Sequence, residues 1–212
     1  MKAILLLFAG FLAVLPAAAQ CAPESMVRIE FRNLSPGTDP DSFDALSKVF
    51  YRQGAGLARW EEPKDTVNNM QALVVVHGKD TWMADLVAKT GSHFVKQAGD
   101  PPLAAPVIAV QGFPQPVYAI ELGCEVAYMQ SQGITPKRIQ VQGLDYDEFT
   151  LAIPPLEARL LVRPDKNTPS ALALYEGEVL RHLVQYRSYE VGLTLDEALF
   201  SPPGEIQWGG GS

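Results

Sequence analysis

The strongest constraint on this chain is a series of about eleven short strand-like runs, most joined by turns of only a few residues. Strands spaced so closely pair as an antiparallel meander, because a parallel neighbour needs a crossover of a dozen or more residues. The first run, "MVRIEFRNL", sets Val27, Ile29 and Phe31 on one face and Arg28, Glu30 and Arg32 on the other. "LSKVFYRQ" and "GLARWEEP" follow, split by the turn Gly54-Ala55-Gly56, and then come "QALVVVH", "TWMADLV" and "SHFVKQ". Beyond a Pro-rich stretch at 100–116 lie "KRIQVQ", "EFTLAI", "EARLLVRP", "SALALYE" and "EVLRHLVQYRSYE".

Several of these runs, "ALVVVH", "ARLLV" and "ALALY" among them, are apolar at consecutive positions. A sheet that is apolar on both faces must pack against something on each. One helix is expected over 117–132, entered through Pro114 and Pro116 and stopped by Gly133. Its polar stripe is narrow, with Glu121, Glu125 and Gln132 on one line, so most of its surface must be covered. Helical turns are also expected near 41–48 and 195–199. One helix cannot cover eleven strands. Either the sheet curls into its own core or it leaves a cavity for a hydrophobic guest. Strand phase selects Trp60, Val75, Trp82, Leu160, Leu172 and Val184 as candidate lining residues, with Ile120 and Tyr128 contributed by the helix.

The stretch "VVVHGKDTWMADLVAKTGSHFV" gathers two of the three histidines with a lysine, aspartates, a serine and a tryptophan. It reads as two hairpins. Gly78 in "HGKD" supplies the backbone angle a tight turn needs, and Gly91 in "KTGS" is expected to do the same for the second. His77 and His93 then flank turns, and His182 lies far off in sequence. Three scattered histidines without paired cysteines or carboxylates offer no zinc spacing. No Gly-x-Ser-x-Gly elbow and no phosphate-cradling glycine loop is present. "DPDSFD" lacks the glycine and distal glutamate of a calcium loop. The carboxylates of "DYDEF" alternate across a strand rather than converge. The expectation is a protein that is not an enzyme and has no metal or cofactor.

"MKAILLLFAGFLAVLPAAAQ" carries one cation, a short apolar run and small residues up to Ala19, the pattern of a secretory signal peptide over 1–19. No later stretch is long enough to be an integral membrane segment, so a periplasmic protein is expected. Cys21 raises lipid anchoring as an alternative, which Gln20 before it disfavours. The remainder reads as a single domain over 20–208 with a flexible tail at 209–212. Net charge is −7 without basic runs, a poor match to nucleic acid. The two cysteines, Cys21 and Cys124, can either form a disulfide in an oxidising compartment or stay free, and spacing does not decide between the two.

The C-terminal third, 158–206, resembles the closing portion of the periplasmic lipoprotein-carrier superfamily, the LolA/LolB-like proteins. The pattern is a strand, a turn ending in Pro169, a strand, a hairpin at Glu176-Gly177, a long strand, and a linker with Phe200 before Pro202-Pro203. Upstream, "VFYRQGAGLARWEEP" is similar to the paired strands of that family, "GKDTWMADLVAKTG" to its Trp-bearing hairpin, and "ELGCEVAYMQSQG" to its covering helix. The resemblance implies a mainly β fold with some α, an incompletely closed antiparallel β-barrel under a helical lid. It also implies a lipid or lipoprotein acyl chain as ligand, or an envelope protein as partner of a sensing module. No residue matches a carrier's functional residues one by one, so none is assigned on that ground.

Overall fold

The computed structural model describes residues 21–109 and 112–210, and the expected signal peptide lies outside them. β1 (Met26–Asn33), β2 (Lys48–Gln53), β3 (Leu57–Glu61), β4 (Ala72–His77), β5 (Asp80–Asp85) and β6 (Thr90–Val95) come first. Two short helices follow, α1 (Gln115–Tyr118) and α2 (Glu125–Ser131). Then come β7 (Lys137–Val141), β8 (Leu144–Ile153), β9 (Leu156–Arg163), β10 (Thr168–Glu176), β11 (Val179–Leu193) and β12 (Gln207–Gly210). All belong to one 12-stranded sheet, in the order β12-β6-β5-β4-β3-β2-β1-β11-β10-β9-β8-β7. Two meanders thus join through the β1–β11 pair, and the outer strands never meet. This is the incompletely closed barrel with a helical cover that the sequence led us to expect.

The expected runs all form strands, and single 3-10 turns occur at Phe43–Ala45 and Glu197–Phe200. The twelfth strand was not anticipated. Gln207–Gly210 pairs parallel to β6, so Gly209 and Gly210, read as tail, lie within the sheet. The first hairpin matches its reading: His77 pairs with Asp80, and Gly78 turns at φ 63°. The second does not. Lys89 takes the left-handed angle, at φ 55°, while Gly91 sits inside β6. Gly91 is small for another reason. A Cβ there would lie 2.5 Å from the Trp208 ring and 2.7 Å from the Met83 carbonyl oxygen.

Register decides the two faces. On the concave face Val74, Trp60, Phe50, Ile29 and Tyr189 form one cross-strand row. Phe149, Leu160, Leu172 and Val184 form another. Residues 103–109 and 112–134 lie across this face and bury Val107, Ile108, Val117, Ile120, Leu122 and Met129 against it. On the opposite face Leu73, Val75 and Ala84 pack with Ile206, flanked by Trp82, Leu86 and Trp208. The C-terminal segment therefore covers the convex side, and residues 103–109 and 112–134 cover the concave one.

The continuous helix expected over 117–132 is broken. Val107 donates its N–H to Ile120 (2.8 Å) and Leu122 donates to Ala105 (2.9 Å), so 120–122 lies extended against 105–107. Gly123 follows at φ 91°, which ends any helix there, and α2 begins after Cys124. Pairing lets both Ile120 and Leu122 point inward, fully buried. Of the supposed polar stripe, Gln132 stays exposed while Glu121 and Glu125 turn inward. Glu121 meets the fully buried Arg52 at 2.7 Å, and Glu125 is wholly buried.

Gly91→Ala should therefore destabilise the protein by about 1–3 kcal/mol, because one of the atoms it meets is backbone and must shift. Urea unfolding checks this. Non-additivity with Trp208→Ala would show that the ring and the glycine act together.

Candidate functional site

The cover does not reach the whole concave face. Over β8–β11 the space is filled: Ile120, Leu160 and Leu172 are fully buried and Val184 nearly so. Over β2–β4 it is not. A cavity of about 260 Å³ remains there, lined by Phe50, Ala58, Trp60, Val74 and Val76 from the sheet and by residues 103–106 and Ala109 from the cover. Its walls are almost entirely apolar. Trp60 forms the inner wall, edge-on to Phe31 (5.3 Å between ring centroids) and to Phe50 (5.8 Å). Its indole N–H donates to Glu62 Oε1 at 3.2 Å, so the polar edge is satisfied away from the cavity.

Val76 and Leu103 also border a second hollow of about 440 Å³, which runs outward past Thr81 and Phe94 to the β4–β5 hairpin. The two hollows lie side by side on the concave face, with Val76 and Leu103 lining both, and are together called the trough below. Met83 and Phe94, in phase with Val74 and Val76, remain about half exposed beside it.

Trp60 borders this trough; the other sequence-selected residues do not. Leu160, Leu172, Val184 and Ile120 are packed in the filled half. Val75 and Trp82 lie on the convex face, because register sets Trp60 opposite Val74, leaving Val75 out of phase and opposite Trp82. Tyr128 stands at a separate recess beside the disulfide between Cys21 and Cys124. Phe50, Ala58, Val74, Val76 and Leu103 were missed. The signal for Val74 and Val76 was present in their alternation, but only the β3–β4 register shows which parity joins Trp60.

The histidines are dispersed. His77 is exposed at the end of β4. His93 stacks on Trp82 at 4.9 Å and contacts Asp80 at 2.8 Å on the convex face. His182 contacts the Ser35 hydroxyl at 2.8 Å, and burial lowers its pKa. Among the described residues no group of three potential metal ligands converges, and no helix is long and apolar enough to cross a membrane.

The cover is held by polar anchors as well as by packing. Arg52 donates to Glu121 (2.7 Å) and to the Cys21 carbonyl (2.8 Å), and Glu121 Oε2 also accepts from the Ala105 N–H (3.2 Å). Glu125, the first residue of α2, accepts from the Tyr186 (3.0 Å) and Tyr189 (2.6 Å) hydroxyls and from the Gly123 N–H (3.1 Å). Burial pushes its carboxyl up to about 7, and those three donors only partly offset the loss of solvation.

No family profile matches the sequence, and no curated protein does. Among solved structures the likenesses are as follows. An uncharacterised conserved protein from Thermus thermophilus superposes with a TM-score of 0.50 at 9% identity, over 88% of this chain and 91% of that one. MucB superposes at 0.37 and 10% identity, over 90% of this chain and 62% of that one. In the MucA/MucB complex of Pseudomonas aeruginosa the corresponding values are 0.36, 10%, 87% and 58%. The Thermus likeness is one of fold alone.

Because the folded protein holds the Glu125 proton more tightly than an unfolded chain would, the contribution of Glu125 to stability is fully present below about pH 4.5 and is lost as pH rises through about 7. The loss should be on the order of 3 kcal/mol between pH 4.5 and 8. Denaturant melts across that window should show it. Glu125→Gln should flatten the profile.

Proposed function

We propose that this protein is an exported, non-catalytic binder of a hydrophobic ligand, taken as an acyl chain into the trough on its concave face. The observation that carries this reading is the apolar, partly open cavity under residues 103–109, walled by Phe50, Trp60, Val74 and Val76. Binding there needs burial and no proton transfer, which agrees with the dispersed histidines. The resemblance to lipoprotein carriers supports the same ligand class. A signal-peptide-like leader and the Cys21–Cys124 disulfide support export to an oxidising compartment, the periplasm in a cell with two membranes.

Magnitudes limit the ligand. If each methylene takes about the 30 Å³ of a water in the liquid, the inner cavity admits on the order of eight or nine. At about 0.8 kcal/mol each, their transfer contributes roughly 7 kcal/mol before the cost of association is met. That suits one chain and leaves no room for a second in the inner cavity.

A second reading rests on the filled half of the sheet. The packing of Ile120, Leu160, Leu172 and Val184 is that of an ordinary core, as a rigid envelope module recognising a protein at its rim would have. The two differ in what occupies the cavity.

A brominated fatty acid should quench the part of the tryptophan emission that comes from Trp60, since Trp82 and Trp208 stand on the opposite face. Trp60→Phe should remove the quenchable fraction while leaving the other two emitters. Absence of quenching in the parent protein, with no lipid in an organic extract, would favour the interaction module.

A further inference from the structure

The outer half of the trough has a different chemistry from the inner. Lys79, at the tip of the β4–β5 hairpin, and Lys96, just past β6, both line it. The Lys96 N–H donates to the Lys79 carbonyl at 2.8 Å, which fixes the two backbones side by side. Neither ammonium has an ion-pair partner among the described residues, although the chain carries a net charge of −7 and most of its arginines are paired. The one carboxylate on the same hollow, Asp100, accepts from the Gln97 backbone N–H at 2.6 Å. Two cations without an ion-pair partner among the described residues therefore line a hollow that adjoins the apolar cavity. Val76 and Leu103 border both halves, so a single extended molecule can touch both.

We propose that the ligand is an anionic single-chain amphiphile. Its carboxylate or phosphate sits at Lys79 and Lys96, and its chain runs past Val76 and Phe94 into the cavity beside Trp60. This rests on the apolar-ligand reading above and extends it to the head group. The cations supply what the short inner cavity lacks: a second contribution to affinity, and a fixed direction of entry. Neutral or cationic amphiphiles of the same chain length would gain only the tail contribution.

The test uses the whole mature protein and three C10 probes: decyl phosphate, decanoate and neutral monodecanoylglycerol, each titrated by calorimetry below its micelle concentration. Both anions should bind more tightly than the glyceride, and their advantage should shrink as salt rises. Lys79→Gln/Lys96→Gln, at two exposed positions that leave the fold intact, should weaken the anions roughly threefold to thirtyfold and leave the glyceride unchanged. A larger loss for the phosphate than for decanoate would identify a phosphorylated head group as the better fit, and equal losses a general anion site. If all three probes bind alike and the double variant changes none, the head-group proposal is overturned while the apolar cavity stands. If none binds, both are overturned.

Discussion

The strand 72–77 is apolar on both of its faces, and much of the molecule follows from that. Val74 and Val76 look into the concave side, Leu73 and Val75 into the convex side, and neither pair can be left to water without loss of the main driving force for folding. The chain answers with two separate covers. Residues 103–109 and 112–134 cover most of the concave face; the segment leading into β12 covers the convex one. Since β12 also pairs with β6, the same segment occupies what would otherwise be a bare sheet edge beside the trough. Gly91 leaves the room in which Trp208 lies.

The concave cover is fastened more firmly at one end than at the other. Near Cys124 it is tied by a disulfide spanning 103 residues of sequence, by the Arg52–Glu121 pair and by the Glu125–tyrosine cluster. A buried ion pair is costly to break because either partner alone would be left as an unpaired charge. At residues 103–109 the attachment is the burial of Val107 and Ile108, two backbone hydrogen bonds to Ile120 and Leu122, and the Ala105 N–H to Glu121, and part of the space beneath it stays open. One face thus holds both a dense core and a hollow.

Strand alternation and turn residues were enough to locate nearly every strand, because period-two patterning and tight-turn glycines are local properties. The hairpin at "HGKD" was legible for the same reason. Local patterns failed where a contact distant in sequence prevailed. Ile120 and Leu122 read as helix, yet pairing with 105–107 buries both. Glu125 read as the wet side of a helix, yet two tyrosines from β11 receive it in the interior. Gly91 read as a turn, when its smallness answers to Trp208, more than a hundred positions away.

What this sequence determined alone was the inventory of strands, their antiparallel connection by short turns, and an excess of apolar surface on both faces of the sheet. Each follows from neighbours along the chain, where side-chain period and backbone angle decide. Which apolar residues would share a cavity was decided by tertiary structure. Side chains alternate across a strand, so a shift of one residue in the β3–β4 register would have put Val75 beside Trp60 in place of Val74. Register is set by pairing, and pairing exists only once the sheet is assembled.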